Sequence, residues 1–192
     1  MRVVLSPRRL ELLKVVRRQG YLRLAQPVRL ASGAMSSDFI DAKKALAQWQ
    51  DLRLACEAIH EAVNDAGHSY DAVGGLTMGA DALAVGVAAV ADCGWFMVRK
   101  ASKQRGTNRL IEGFEVGEGA KVLLVDDVVT TGKSIFLALD EVLNSGAEVV
   151  AAATLVDRGD CASAEFVRRG VAYHPMITYT DFGIDRVDPP AM

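Results

Sequence analysis

From Tyr70 to Thr178 the chain repeats one pattern: a short apolar strand, a turn, then a helix. Residues 72–75, 95–98, 122–125, 149–156 and 173–178 read as strands. Residues 80–91 and 135–143 have helical spacing, as does the stretch around Phe166. Such alternation predicts an α/β fold, with a parallel sheet flanked by helices on both faces. At 192 residues and 51% hydrophobic content, the chain can build one domain with a sizeable core. No repeat or low-complexity linker divides it. Ligands of such sheets bind beyond the carboxyl ends of the strands. Three segments converge there: Gly75 to Gly79, Arg99-Lys100, and the acids after residue 125.

The segment 122–134 reads VLLVDDVVTTGKS and carries the chemistry. Val122, Leu123, Leu124 and Val125 form the unbroken apolar run of a strand buried on both faces. Asp126 and Asp127 follow at its end, and Val128, Val129, Thr130, Thr131, Gly132, Lys133 and Ser134 turn the chain into the next helix. The free N–H groups and positive dipole of a helix start suit a phosphate. The paired carboxylates suit sugar hydroxyls, or a hydrated Mg²⁺ resting on them. A phosphorylated sugar with two neighbouring hydroxyls satisfies both. Gly132-Lys133-Ser134 also ends like a nucleotide-binding P-loop, but that motif needs a glycine where Asp127 stands.

Several functional classes are excluded. A formal net charge of −2 leaves no overall electrostatic footprint for nucleic acid or membrane. Cys56, Cys93 and Cys161 are scattered, which predicts reduced thiols in a cytoplasmic protein. His60, His68 and His174 lack metal-ligand spacing, no apolar run reaches membrane-spanning length, and the N-terminus is not patterned as a signal peptide.

At the N-terminus, Ser6-Pro7 followed by Leu10, Leu13 and Val16 predicts a capped amphipathic helix ending near Gly20. Its basic residues Arg8, Arg9, Lys14, Arg17 and Arg18 form a solvated face or a dimer rim. Residues 21–30 suggest a small hairpin turning at Gln26-Pro27, and 41–65 are helix-rich. Further on, Arg99, Lys100, Lys103, Arg105 and Arg109 crowd a polar stretch without an acid, which predicts a mobile cationic loop over 99–113. Gly75 to Gly79 is a second glycine-bounded turn, able to bring backbone N–H groups close to an anion.

Segment 122–134 resembles the phosphoribosyl-pyrophosphate (PRPP) signature of the type I phosphoribosyltransferases. Before it stand VRK-x-x-K, G-T and IEG; after it stands VDR at 156–158; upstream lie L-x-SG, DFID and VGGLTMGAD. In this order and spacing they resemble the orotate phosphoribosyltransferase branch, in its actinobacterial-like version. The resemblance implies the type I phosphoribosyltransferase fold over 1–192, with a small N-terminal hood at about 1–40 and a PRPP-binding core at about 68–180.

It also implies roles. Asp126 and Asp127 hold the ribose hydroxyls, with Asp127 catalytic, and Val128, Val129, Thr130, Thr131, Gly132, Lys133 and Ser134 cradle the 5-phosphate. Thr77, Met78 and Gly79 face the pyrophosphate, and Arg99, Lys100 and Lys103 neutralise it. Lys103 and Arg105 are the catalytic loop residues; Phe39, Thr130 and Arg158 meet the base, Arg158 through its carboxylate. Mg²⁺ is held mainly through PRPP near Asp126 and Asp127. The loop completes the partner's site in a homodimer. Family members usually carry Lys-x-His-Gly where this chain has Lys103-Gln104-Arg105-Gly106, and often a lysine where Ala31 stands. The implied reaction is transfer of phosphoribose from PRPP to orotate, giving orotidine 5′-phosphate and pyrophosphate. Another nitrogen heterocycle as acceptor, or a PRPP-sensing regulator without turnover, stays open. Arg158 paired at the surface with Asp157 or Asp160, and Phe39 buried in the core, also stay open.

Overall fold

The structure is a computed structural model that describes residues 5–30, 32–100 and 110–188. Helix α1 (Pro7–Gln19) starts where Ser6 accepts the Arg9 N–H and Pro7 fills the first turn, and it stops at Gly20. A hairpin of β1 (Tyr21–Arg29) and β2 (Met35–Ile40) follows. A single-turn helix α2 (Ala42–Ala45) then leads to α3 (Trp49–Asp65). The rest alternates as β3 (Ala72–Leu76), α4 (Asp81–Ala91), β4 (Gly94–Val98), β5 (Ile111–Gly113), β6 (Lys121–Val129), α5 (Lys133–Asn144), β7 (Glu148–Asp157), α6 (Cys161–Arg169), β8 (Ala172–Thr178) and α7 (Tyr179–Phe182).

Six strands form the main sheet in the order β5-β4-β3-β6-β7-β8. All its pairings are parallel except that of β5 with β4. Alternate residues of β6 feed opposite faces, because side chains along a strand alternate. Leu123 and Val125 pack with α3 and α4 residues such as Ile59, Leu83 and Val87. Val122 and Leu124 pack with Ile135, Leu139 and Val142 of α5 and Phe166 of α6. Each fully buried Leu or Val contributes roughly 1.5–3 kcal/mol. The apolar run of 122–125 is therefore what a central strand between two helical layers requires.

From β3 the chain moves outward through β4 to β5, then returns to β6 on the other side of β3 and continues outward to β8. Strand order thus reverses between β3 and β6. A crevice opens at such a switch point, beyond the carboxyl ends of the strands. Here β3 pairs with β6 only as far as Gly74↔Leu124, whereas β6 stays paired with β7 to Val129↔Asp157. The last part of β6 is therefore covered on one side and open on the other.

Two expectations for the N-terminal region change. The hairpin does not turn at Gln26-Pro27. β1 runs through them, with an irregularity between Arg23 and Val28, and its partner is β2. Proline lacks an N–H, so it is tolerated at such a break in the ladder. The basic residues of α1 are also not all a solvated face. Arg8 pairs with Glu57 and Glu61 on α3, and Arg9 donates to the carbonyls of Met176 and Pro175 on edge strand β8. Arg17 donates to the carbonyls of Phe182 and Asp181. These arginines fasten α1 to the core, and Arg9 among them occupies carbonyls of edge strand β8.

Candidate active site

The acid pair lies inside β6 rather than after it, on the stretch that leaves β3 and keeps β7. Asp126 is almost fully buried, and its Oδ1 accepts the Asp127 N–H at 3.0 Å. Burial pushes its carboxyl up to about 7, and the Asp127 charge adds to this; Lys43 and Lys100 pull the other way. Asp127 is better solvated. Its Oδ1 accepts the Val128 N–H at 2.7 Å, and its Oδ2 accepts from Lys43 Nζ at 2.8 Å.

The turn after β3 packs directly against these acids. A Cβ added at Gly79 would lie 2.6 Å from Asp126 Oδ1 and 3.0 Å from Asp127 Oδ1, so only glycine lets the backbone come this close. Thr77 donates its N–H to Val98 O and its hydroxyl to Asp81 Oδ2, so it holds the turn in place. Met78, after a cis peptide bond, is 75% exposed. Among the described residues, the Met78 and Gly79 N–H groups have no hydrogen-bond partner, which suits them to an incoming anion.

The segment after the acids curls into α5. Gly132 adopts a left-handed φ of 82°, and a Cβ there would lie 2.2 Å from the Phe136 ring. No side chain caps the start of α5. Its first N–H groups, from Lys133 and Ser134 onward, are thus placed for a phosphate. Asp126, Val128, Val129, Thr130, Thr131, Gly132, Lys133 and Ser134 line one cavity of about 440 Å³, with Lys100 and Ser32 on its rim. A larger cavity of about 1050 Å³ lies between α1 and β8. It holds none of the acid pair or the α5 turn, so size alone does not mark the site.

Arg158 closes the β7 side. It is 1% exposed, which removes the surface ion pair from consideration. Asp157 instead accepts from the Gly159 N–H, Tyr173 Oη and Ser163 Oγ, while Asp160 pairs with Arg186. Arg158 donates from Nη1 to Asp38 O at 3.0 Å and from Nη2 to Ser36 Oγ at 3.2 Å, and its Nε is buried without a partner. A guanidinium has five N–H donors, so several remain for a carboxylate. Burial pulls the Arg158 pKa down, and the Asp38 charge opposes this. Phe39 is 36% exposed on β2 opposite Leu22, so it is not a core residue.

The expected donor-site residues that the structure describes therefore gather at one edge, with Arg99 as the exception. Arg99 turns to Glu112 on β5 at 2.9 Å, and its backbone N–H donates to Leu110 O, closing the root of the cationic loop. Lys103, Arg105 and Ala31 lie outside the described residues. Sequence reasoning missed Lys43, Ser36, Asp38 and the Asp157–Tyr173 pair. Lys43 and Lys44 sit together in a helical stretch and carry no local signal of a site. Asp38, which accepts from Tyr21 Oη and Arg23 Nη1, has a partial signal in strand alternation.

An acid pair at a switch point, beside an uncapped helix start and a glycine turn, defines a site for a phosphorylated sugar with an anionic leaving group. Residues 43–168 match the phosphoribosyl transferase domain, and the chain belongs to the phosphoribosyltransferase family, with its type I fold. Within it, the orotate phosphoribosyltransferase of Corynebacterium glutamicum (strain R) is 38% identical over 160 residues, 82% of this chain and 85% of that protein. The crystal structure of Mycobacterium tuberculosis H37Rv orotate phosphoribosyltransferase in complex with PRPP has a TM-score of 0.76 at 35% identity, covering 93% of this chain and 100% of that one. A phosphoribosyltransferase from Corynebacterium diphtheriae has a TM-score of 0.80 at 33% identity, with the same coverage.

Proposed function

We propose that the protein transfers phosphoribose from PRPP to orotate, forming orotidine 5′-phosphate and releasing pyrophosphate, as a step of pyrimidine nucleotide synthesis. The observation that carries this is a buried guanidinium beside the donor half-site: the Arg158 N–H donates to Val129 O, in the segment that lines the cavity of Asp126 and the α5 start.

The geometry described above supports the following roles in this reading. Asp127 and Asp126 accept hydrogen bonds from the ribose hydroxyls. The start of α5, with Thr130, Thr131 and Ser134, holds the 5-phosphate. The Met78 and Gly79 amides meet the pyrophosphate, whose growing charge Lys100 and the loop cations Lys103 and Arg105 offset. Arg158 orients the acceptor through its carboxylate. As the bond at the anomeric carbon breaks ahead of bond making, the sugar gains positive character and the base nitrogen enters from the opposite face.

Among the described residues no group of three or more His, Cys, Asp or Glu is arranged to hold a metal. The two β6 carboxylates are hard oxygen donors and suit Mg²⁺ if the donor's own oxygens complete its shell. When bound, that ion neutralises the departing pyrophosphate. The working unit in our reading is a homodimer in which Lys103 and Arg105, which lie outside the described residues, serve the partner's site. The cytoplasm is the compartment we assign, on the three unpaired thiols; no helix among the described residues is long and apolar enough to cross a membrane.

The test is consumption of orotate with PRPP and Mg²⁺, comparing wild type with Asp127→Asn. The expected result is turnover by wild type, loss of it on chelation, and loss of it in the variant at unchanged fold. Full activity of Asp127→Asn would overturn the assignment.

A further inference from the structure

Lys43 reaches the acid pair from a segment that no motif marks. Its Nζ lies 2.8 Å from Asp127 Oδ2, with 84 residues of chain between them. The mount is firm although α2 is only one turn. Ala42 and Ala45 are buried, Asp41 caps the turn by accepting the Lys44 N–H, and the Asp41 N–H donates to Gly20 O. Gly20 is packed so closely that a Cβ there would lie 2.6 Å from Asp41 O. The stem of Lys43 thus leaves a fixed point at the end of α1.

The side chains of the pair are unequally exposed, 64% for Lys43 and 20% for Asp127. An ion pair this open to water adds little to stability. Its consequence is orientation. The Val128 N–H holds Asp127 Oδ1 and Lys43 holds Oδ2, so the carboxylate plane is set at both oxygens. Each oxygen keeps a lone-pair direction for a ligand. Gly79 lies against Oδ1 of the same carboxylate, so the ammonium also stands near the turn that meets the leaving group.

We propose that Lys43 is a positioning residue for the donor sugar: by holding Asp127 Oδ2 it fixes the carboxylate that receives the ribose hydroxyls, and thereby sets the affinity for PRPP. This rests on the phosphoribosyltransferase reading above. It also makes 36–43 a shared frame. Ser36 and Asp38 accept from Arg158 on the acceptor side, and Lys43 donates to Asp127 on the donor side.

The experiment is calorimetric titration of the full chain with PRPP and Mg²⁺, for wild type, Lys43→Met, Lys43→Arg and Lys44→Met, with steady-state kinetics on each. Lys43→Met should raise the PRPP dissociation constant by about tenfold or more, the effect of losing one hydrogen bond to a charged group. Its KM for PRPP should rise in step while KM for orotate and the melting temperature hold. Lys43→Arg should recover most of the affinity, and Lys44→Met should match wild type. Unchanged PRPP affinity in Lys43→Met, an equal rise in KM for orotate, or no recovery in Lys43→Arg would each overturn the proposal. Wild type that binds no PRPP would overturn the function itself as well.

Discussion

Arg158 Nη1 and the backbone carbonyl of Asp38 meet at 3.0 Å across 120 residues of chain, joining the end of β7 to the hairpin. The same guanidinium donates from Nη2 to Ser36 Oγ, so the side chain to which we assign the acceptor also fastens the hairpin. Lysine can keep the charge but not the planar fork that serves two acceptors and a carboxylate together. Arg158→Lys is expected to lose about 2–4 kcal/mol of stability, as breaking up a buried polar network does. Its kcat/KM for orotate should fall by about a hundredfold. Urea unfolding and steady-state kinetics check both, and retention of full activity would remove Arg158 from the acceptor site.

Asp126 makes stability depend on pH. In the folded chain burial keeps its carboxyl protonated up to about 7. In the unfolded chain it ionises near its ordinary value of about 3.9. Between these the folded chain binds more protons, so this group's contribution to stability falls as pH rises across the window. Asp126→Asn cannot ionise, yet its amide oxygen still accepts the Asp127 N–H. The variant should match wild type near pH 4 and exceed it at pH 8, by on the order of 2–4 kcal/mol. Turnover should be lost. Urea midpoints at the two pH values decide the point; an equal difference at both would show that Asp126 is not held protonated.

Next to Arg158 in the chain lies a polar group centred on Asp157. Tyr173 Oη donates to Asp157 Oδ2 at 3.0 Å and lies 2.8 Å from Thr154 Oγ1, while Asp157 Oδ1 accepts the Gly159 N–H. These bonds shape the turn that carries Arg158. Tyr173→Phe keeps the stacking on Phe166 but removes a donor from a buried carboxylate. We expect a loss of about 1–3 kcal/mol and a rise in KM for orotate without change in KM for PRPP. Equal shifts in both constants would place the effect in general loosening of the core.

Five of the six strands of the main sheet could be read from the sequence pattern because each contains a local apolar run. β7 and β8 fall within a residue or two of where the pattern sets them. The acid pair and the α5 turn were legible because they are neighbours in the chain, and Asp126 and residues 128–134 line one cavity. Other parts depend on distant partners and leave no local trace. Lys43 acts through Asp127, 84 positions away, and Arg9 through carbonyls of β8. β5 has three residues and pairs only with β4, too short for periodicity to show. The hairpin turn was misplaced because Pro27 carries a strong turn signal, yet here it fills a break in the ladder.

Gly79 tests how tightly the turn after β3 and the acids are fitted. A methyl group at this position would meet Asp126 Oδ1 at 2.6 Å and Asp127 Oδ1 at 3.0 Å, and the first of these side chains is buried and cannot swing away. Either the turn retreats from the crevice or the carboxylates rotate, and each displaces groups to which we assign PRPP. Gly79→Ala is expected to raise the PRPP dissociation constant by about a hundredfold while lowering stability by only about 1–2 kcal/mol. Gly117→Ala is the matched control, since a Cβ there approaches only Ser145 O, at 3.9 Å. It should bind PRPP as wild type does. Titration with PRPP and thermal melting of the two variants provide the check. Normal PRPP affinity in Gly79→Ala would mean that the turn after β3 takes no part in holding the donor.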